Sequence, residues 1–261
     1  MTNLLETCRA QCGKLVEQHG LCDTLVTVTA AVLAPAAAIG TPTRRDFPIL
    51  QGREQMIEAV INGARGQAFT DSPLNFAGTL RDVLALPLTD NGARAVVLAA
   101  LNALLCHVCL VTDTVHCKDD APEECATAMA EKARDTGART VGLIGFNPAI
   151  AEALVHVFGA GNVRITDLNP NNIATTKFGV PVHDGHAYGH DLIKGVDLIL
   201  ATGTMVVNGT GEALLQAAQA AGTRCVLYGV TGAAVCHLAG LERWCFQAQS
   251  GVSAPQRKTR T

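Results

Sequence analysis

From Thr140 onward the chain alternates between short apolar runs and amphipathic stretches of helical length, and no other feature restricts its fold as tightly. Residues 140–144, 163–166, 197–201 and 224–228 read as strands, because they are short, apolar and rich in β-branched side chains. Residues 148–158 and 211–221 read as helices, the second closed by Gly222. Strand–helix units of this length require right-handed crossovers, so the second half is expected to be a parallel sheet covered by helices. Composition agrees. Hydrophobic residues make up 48% of the 261 and aromatic residues only 4%, so the core must be filled by Ala, Val, Leu and Ile, the usual filling of parallel sheets.

The first half has a different rhythm. Leu4, Leu5, Cys8, Cys12, Leu15 and Val16 recur at helical spacing up to Gly20. Residues 24–33 and 55–61 read as strands, Asn62-Gly63 as a turn, and residues 40–48 as a loop. Residues 78–86 read as a short helix stopped by Pro87, followed by a long helix capped by Asp90 or Asn91 that runs to about Cys109. A polar link leads to a helix over 122–136, with Pro122 and two glutamates suited to its first turn. The division expected is an α+β domain over 1–112, a parallel-sheet domain with its linking segment over 113–249, and a disordered tail over 250–261.

A net charge of −3 gives no basic face for nucleic acid or an anionic membrane, so neither is an expected partner. The apolar stretches 25–39 and 96–111 are interrupted or too short for membrane spans and read as core. The charges of the first twenty residues are evenly spread, unlike a secretory signal, which predicts a cytoplasmic chain. In that setting its ten cysteines are expected as thiols, metal ligands or redox groups, most of them behaving as small buried hydrophobes.

Three turns at the ends of the expected parallel strands carry candidate ligand contacts. In the first, Gly145, Phe146 and Asn147 precede the helix at Pro148, where a dinucleotide fold binds phosphate; the later glycines of that fingerprint are missing, and Pro148 offers no amide hydrogen. In the second, Asp167 and Asn169 stand where such folds meet ribose hydroxyls, though Asp is also a common turn former. In the third, Thr202, Gly203, Thr204, Asn208, Gly209 and Thr210 gather small polar groups between a strand and a helix. Metal candidates are His116 and Cys117 on the link and Cys125 beyond it. Cys117, beside a His and a Lys, could also be a reactive thiol. Cys106-x-x-Cys109 around His107 suits packing on one helix face as well as chelation, and the His-rich stretch His183, His186, His190 reads as a solvated loop able to hold a metal only if it wraps round one.

The segments GLIGFNP (142–148), TDLN (166–169) and TGTMVVNGT (202–210), in that order and spacing, resemble the putative heavy-metal chelation family. NFAGTLRDVLAL (75–86), AALNAL (99–104), His116-Cys117-Lys118 and Glu124-Cys125 extend the resemblance over about residues 5–248. It implies an enolase N-terminal-like α+β cap joined to a Rossmann-like domain, with a ligand cleft between them. It does not imply enolase chemistry, since no carboxylate trio of that enzyme's kind is present.

Three functions follow as expectations. In the first, a transition metal or small metal-containing ligand sits in the cleft on His116, Cys117 and Cys125, helped by Asp71 or Asp167. In the second, an enzyme binds a nucleoside-type cofactor, S-adenosylmethionine or a nucleotide, at Gly145, Asn147, Asp167 and Thr202, with Cys117 or His116 acting on the second substrate. In the third, the chain is a non-catalytic scaffold or regulator. No catalytic residue is assigned, and a homodimer is compatible with the fold class.

Overall fold

The computed structural model describes residues 4–30, 38–51 and 54–252. Helix α1 (Leu4–Gln18) buries Leu5, Cys8, Cys12 and Val16, the face its spacing predicts. Strands β1 (Leu25–Thr29), β2 (Gln55–Ile61), β3 (Ala64–Thr70) and β4 (Phe76–Thr79) form an antiparallel sheet in the order β3-β2-β1-β4. The strand expected over 24–33 is thus five residues, with 31–33 outside the described residues.

Two local differences from the sequence reading have clear causes. The helix expected from Gly78 begins at Leu80, as α2 (Leu80–Leu84), and Gly78 belongs to β4. Thr79 and Asp82 form a capping box: the Asp82 amide donates to the Thr79 hydroxyl (3.2 Å) and the Thr79 amide to the Asp82 carboxylate (2.8 Å), which sets the boundary. Strand β3 was not expected at all. Its inward positions include Ala64, Gly66 and Ala68, too small to announce a strand, because helix α3 (Asn91–His107) lies directly on them. A Cβ at Gly66 would stand 2.2 Å from the amide nitrogen of Ala103.

Helix α4 (Ala121–Asp135) leads into a seven-stranded sheet ordered β11-β10-β9-β5-β6-β8-β7. Its members are β5 (Val141–Ile144), β6 (Val163–Asp167), β7 (Thr176–Lys177), β8 (Val180–Asp184), β9 (Leu198–Thr202), β10 (Arg224–Tyr228) and β11 (Arg243–Trp244). All neighbours are parallel except β7 with β8. Helices α5 (Pro148–Phe158), α6 (Gly185–Lys194), α7 (Gly211–Ala221) and α8 (Ala233–Ala239) are its crossovers. The stretch holding His183, His186 and His190 is not a loop: it is the end of β8 and the start of α6, where the Asp184 carboxylate caps the His186 amide at 2.9 Å. The chain moves outward from β5 through β6 and returns to β9 on the other side of β5, so the strand order reverses between β5 and β9. Ligands of open α/β sheets bind at such a reversal.

The two halves are packed together through two apolar clusters. One apolar cluster joins α1, the antiparallel sheet and α3 to Leu192, Ile193, Ile199, Ala201 and the buried face of α8. Residues 250–252, expected in a disordered tail, are held to the first half: the Arg65 amide donates to the Gly251 carbonyl (2.9 Å) and the Gly251 amide to that of Thr112 (2.8 Å). The remainder of that tail, 253–261, lies outside the described residues. Among the described residues no helix is long and apolar enough to cross a membrane.

At the centre of the shared core Asn102 is fully buried on α3. Its amide nitrogen donates to the carbonyls of Gln67 (2.9 Å), Val230 (3.1 Å) and Thr231 (3.3 Å), and its amide oxygen accepts from Ala234 N–H (2.8 Å). Replacing it strands an amide and three carbonyls away from water. Asn102→Leu should therefore lower the unfolding free energy by roughly 3 kcal/mol in urea titration, from the desolvation cost of the orphaned groups. A loss under about 1 kcal/mol would mean the contact is incidental.

Candidate functional site at the strand reversal

Gly145 ends β5 with φ +83°, a backbone conformation that disfavours a side chain. A Cβ there would also lie 2.5 Å from the Thr202 methyl at the end of β9. Tyr228, at the end of β10, reaches over β9 and donates its hydroxyl to the Gly145 carbonyl at 2.7 Å. Thr202 and Thr204 share a hydroxyl–hydroxyl hydrogen bond of 2.9 Å. Gly145, Thr202, Thr204 and Tyr228 thus meet at the strand reversal. Gly203 is buried, and its α-carbon would admit no Cβ because the Gly232 amide would stand 2.6 Å away.

The groups that a phosphate or ribose would use are engaged by the protein itself. The Asn147 side chain caps α5, accepting from the Ile150 amide at 3.2 Å. The Phe146 amide donates to Asp167 Oδ2 (3.3 Å), and the Asp167 carboxylate also accepts from the amides of Leu168 (2.6 Å) and Asn169 (3.0 Å) and from the Asn172 side chain (2.7 Å). The Phe146 ring carries Lys177 Nζ at 5.6 Å. Asn169 turns its side-chain oxygen to the Asn171 amide (3.1 Å).

The third turn docks on the first half of the chain. Asn208 Oδ1 accepts from the amide and hydroxyl of Thr210 (3.1 and 2.7 Å), so Thr210 stands at the N-cap of α7 without capping it by its side chain. Arg94, on α3, donates to the Val207 carbonyl and to Asn91 Oδ1 (2.6 Å), and its guanidinium lies beside Gly209. Asn91 in turn donates to both oxygens of Asp71 (3.0 and 3.1 Å), at the end of β3.

Sequence reasoning missed Glu54. It stands just before β2, half-buried, within electrostatic range of Asp71 and Asp167. Burial first, and then the charges of Asp167 and Asp71, push its carboxyl up from 4.5 to about 7. Burial, with further contributions from Glu54 and Asp167, also raises the Tyr228 hydroxyl, against an opposing hydrogen bond with Thr202. Among the described residues Glu54, Asp71 and Asp167 make no ion pair. Three carboxyls from three segments therefore place unbalanced negative charge where the two halves meet over the strand ends.

The metal candidates of the link divide. His116 sits under Phe69, edge to face at 5.2 Å, and its Nδ1 bonds the Cys117 carbonyl at 2.5 Å. Burial lowers it from 6.5 to about 4, so it is neutral at pH 7. Cys117 and Cys125 are both 4% exposed and lie within electrostatic range of each other, joined by Cys245, which follows β11. The thiol of Cys245 hydrogen-bonds to Cys125. That bond, the amides of Gln247 and Phe246 and the charge of Arg243 hold Cys125 below the usual thiol range against the cost of burial. Burial and the Cys125 charge push Cys117 up to about 12. The face proposed for Cys106 and Cys109 does not form: α3 ends at His107, and Cys109 is exposed in the left-handed region (φ 58°). All ten cysteines are free thiols. Among the described residues no three His, Cys, Asp or Glu side chains are grouped so as to hold a metal ion.

Residues 128–239 match the DUF364 family, described as putative heavy-metal chelation. The match covers the parallel sheet from α4 to α8 and so contains the strand reversal, Asp167 and Thr202 through Thr210. A DUF364 protein of unknown function from Pyrococcus horikoshii is similar in structure, with a TM-score of 0.54 and 13% identity over 88% of this chain and 80% of that one. A second DUF364 protein of unknown function, from Desulfitobacterium hafniense, is 17% identical over 71% of this chain and 73% of that one, with a TM-score of 0.43. A comparison with curated proteins finds no match. The first likeness extends the shared fold beyond the matched segment to most of the chain.

Glu54 makes this arrangement testable without any ligand. Its folded pKa of about 7 lies above the unfolded value near 4.5, so the folded state holds the proton more tightly between those values. The corresponding stability is fully present below pH 4.5 and is lost as pH rises through 7. Glu54→Gln keeps the shape and removes the ionisation. Relative to wild type it should gain up to about 3 kcal/mol by pH 8 and nothing at pH 4, read by denaturant unfolding across that range. A difference independent of pH would show that Glu54 ionises freely.

Proposed function

We propose that this protein binds a cationic ligand, either a hydrated metal ion or a small molecule that carries a metal, between its two halves at the strand reversal. The convergence of Glu54, Asp71 and Asp167 carries the reading. Glu54 and Asp167 are half-buried and Asp71 is exposed, and holding three carboxyls within electrostatic range of one another without a counter-ion among the described residues is unfavourable, so a cation relieves it. The description of the matched family, putative heavy-metal chelation, points the same way. Since no three donors are grouped for direct coordination among the described residues, the ion must keep part of its own shell, as water or as an organic ligand. Thr202, Thr204 and Tyr228 then supply hydroxyls to that shell.

A nucleoside-type ligand fits these residues less well. The Asp167 carboxylate and the Phe146 amide are already paired, and Pro148 lacks the amide that a pyrophosphate would require.

The test is titration of the whole protein with Mn(II), Ni(II) and Zn(II) by calorimetry, with elemental analysis of the protein as purified. Wild type should take up one equivalent of at least one of these ions. Asp71→Asn and Glu54→Gln should each weaken it by about 10- to 100-fold, the Coulomb energy of one partly screened charge near 5 Å. Thermal stabilisation by S-adenosylmethionine or a nucleotide, lost in Asp167→Ala, with no uptake of metal, would overturn the proposal.

A further inference from the structure

Strands β1 and β2 are antiparallel neighbours, yet residues 30–54 join them, where roughly two to five residues usually suffice. The described part of this connection, 38–51, leaves its own sheet and crosses to the other half. Its buried side chains Ala38, Ile39, Phe47 and Ile49 lie in the apolar cluster of α4, α5 and the parallel sheet. That cluster also holds Tyr228, at the end of β10, with Phe146 packed against it. After the turn over Pro48–Gln51 the chain returns to Glu54. Because Gln55 faces Thr70 in the β2–β3 ladder, Glu54 comes opposite Asp71 one step further along. The segment thus runs over the second half and comes back at the strand ends of the candidate site.

Polar contacts fasten the segment in two places. At the link, the Asp119 amide donates to the Ile39 carbonyl (2.8 Å), the Thr41 amide to Asp119 Oδ1 (2.9 Å) and the Thr43 amide to Asp120 Oδ1 (2.8 Å). Gly40 takes φ +70° there, and a Cβ on it would stand 2.3 Å from Asp119 Oδ1, so the contact demands glycine. Further along, Arg44 ties the segment to both helices beneath it. It donates to Glu123 on α4 and to Glu152 on α5, as well as to Asp46 (3.2 Å), and its guanidinium lies 5.9 Å from the centre of the Phe178 ring. The side chains of Glu152 and Asp46 are 53% and 50% exposed, so these ion pairs are individually weak and screened by salt. A groove of about 620 Å³ along Thr43, Arg44, Arg45, Asp46 and Glu123 brings water to the latch.

We infer that residues 38–51 are a strap over the strand reversal, latched by Arg44 on Glu123 and Glu152, and that releasing the latch opens the approach to Glu54. A segment held by partly exposed ion pairs opens at lower cost than the sheet beneath it, so the strap moves while the two halves stay docked. The latch needs its cation. Without Arg44, the carboxylates of Asp46, Glu123 and Glu152 repel one another, and the segment is pushed away from α4 and α5. The inference rests on the function proposed above for the passage of a cation to the carboxyls, and does not rest on it for the exposure of Glu54.

The test uses the full chain. Arg44→Met, and Glu152→Gln from the α5 side, should each speed amide hydrogen exchange over 38–51 by about 10-fold and leave β5 and β9 unchanged. The double variant should exchange no faster than Arg44→Met alone, since both act on one latch. Carboxyl labelling with a water-soluble carbodiimide and an amine, mapped by mass spectrometry, should find Glu54 modified faster in both variants. Release of Mn(II) into excess EDTA should quicken by a similar factor. Exchange equal to wild type in both variants, faster exchange with Glu54 labelling unchanged, or a rise in exchange spread over β5 and β9 would each overturn the inference. Mn(II) released at the wild-type rate from both variants would overturn the strap as a gate and leave the bound cation standing. No uptake of Mn(II), Ni(II) or Zn(II) by wild type, with exchange and Glu54 labelling responding as expected, would overturn the proposed function and support the strap.

Discussion

The structure depends on one buried amide. Asn102 satisfies carbonyls of Gln67, Val230 and Thr231 and the amide of Ala234, and these belong to β3 on one side and to the turn after β10 and the first turn of α8 on the other. A parallel sheet leaves its strand-end turns exposed, and an antiparallel sheet with a helix on it leaves the flank of that helix exposed. Asn102 closes both deficits in one contact, with no donor left over. The Phe69 amide adds a parallel contact, donating to the Thr231 hydroxyl at 3.0 Å. Once the halves are joined there, α3 is committed to lie between them, and Arg94, two turns earlier on the same helix, is carried to the Val207 carbonyl. The position of Asp71 follows, through Asn91. The gathering of Glu54, Asp71 and Asp167 is therefore a consequence of the same docking that joins the two halves.

What the sequence made legible was what hydrophobic period reports. The alternation after Thr140 named β5, β6, β9 and β10 and the helices α5 and α7 within a few residues. It did not name β3, where α3 packs so closely that small residues replace the usual branched ones, nor β7, β8 and β11, which are short or carry polar residues at the sheet margin. The His-rich stretch looked like a loop for a related reason: His183 ends β8, and His186 and His190 hide the helical pattern of α6, whose buried residues are only Leu192 and Ile193.

The site was legible in half. Strand-end residues such as Gly145, Asp167 and Thr202 are marked by chain position, because every parallel strand delivers its last residue to the same rim. Glu54 is marked by nothing local. It reaches Asp167, 113 positions away in the chain, only because the antiparallel sheet is docked over the reversal between β5 and β9. Cys245 is the same kind of case. Its partner Cys125 was singled out on the link side, but the bridge between Val115 and Gln249 that joins them belongs to no regular element and leaves no periodic trace.

The carboxyls and the buried thiols differ in a way that bears on what each can hold. At the strand reversal the charged groups are carboxylate oxygens, partly open to solvent, and they make no ion pair among the described residues. Hard cations that keep water suit such a place, since they are held as much by the field as by contact. Cys117 and Cys125, by contrast, are buried thiols, and the neighbouring Arg243 is already paired with Asp113. A strongly hydrated divalent ion would have to lose its shell to reach them. The fold thus keeps its carboxylates at the ends of the parallel strands and the thiols of Cys117 and Cys125 buried away from them, so a cation drawn by the proposed site meets oxygen and not sulfur.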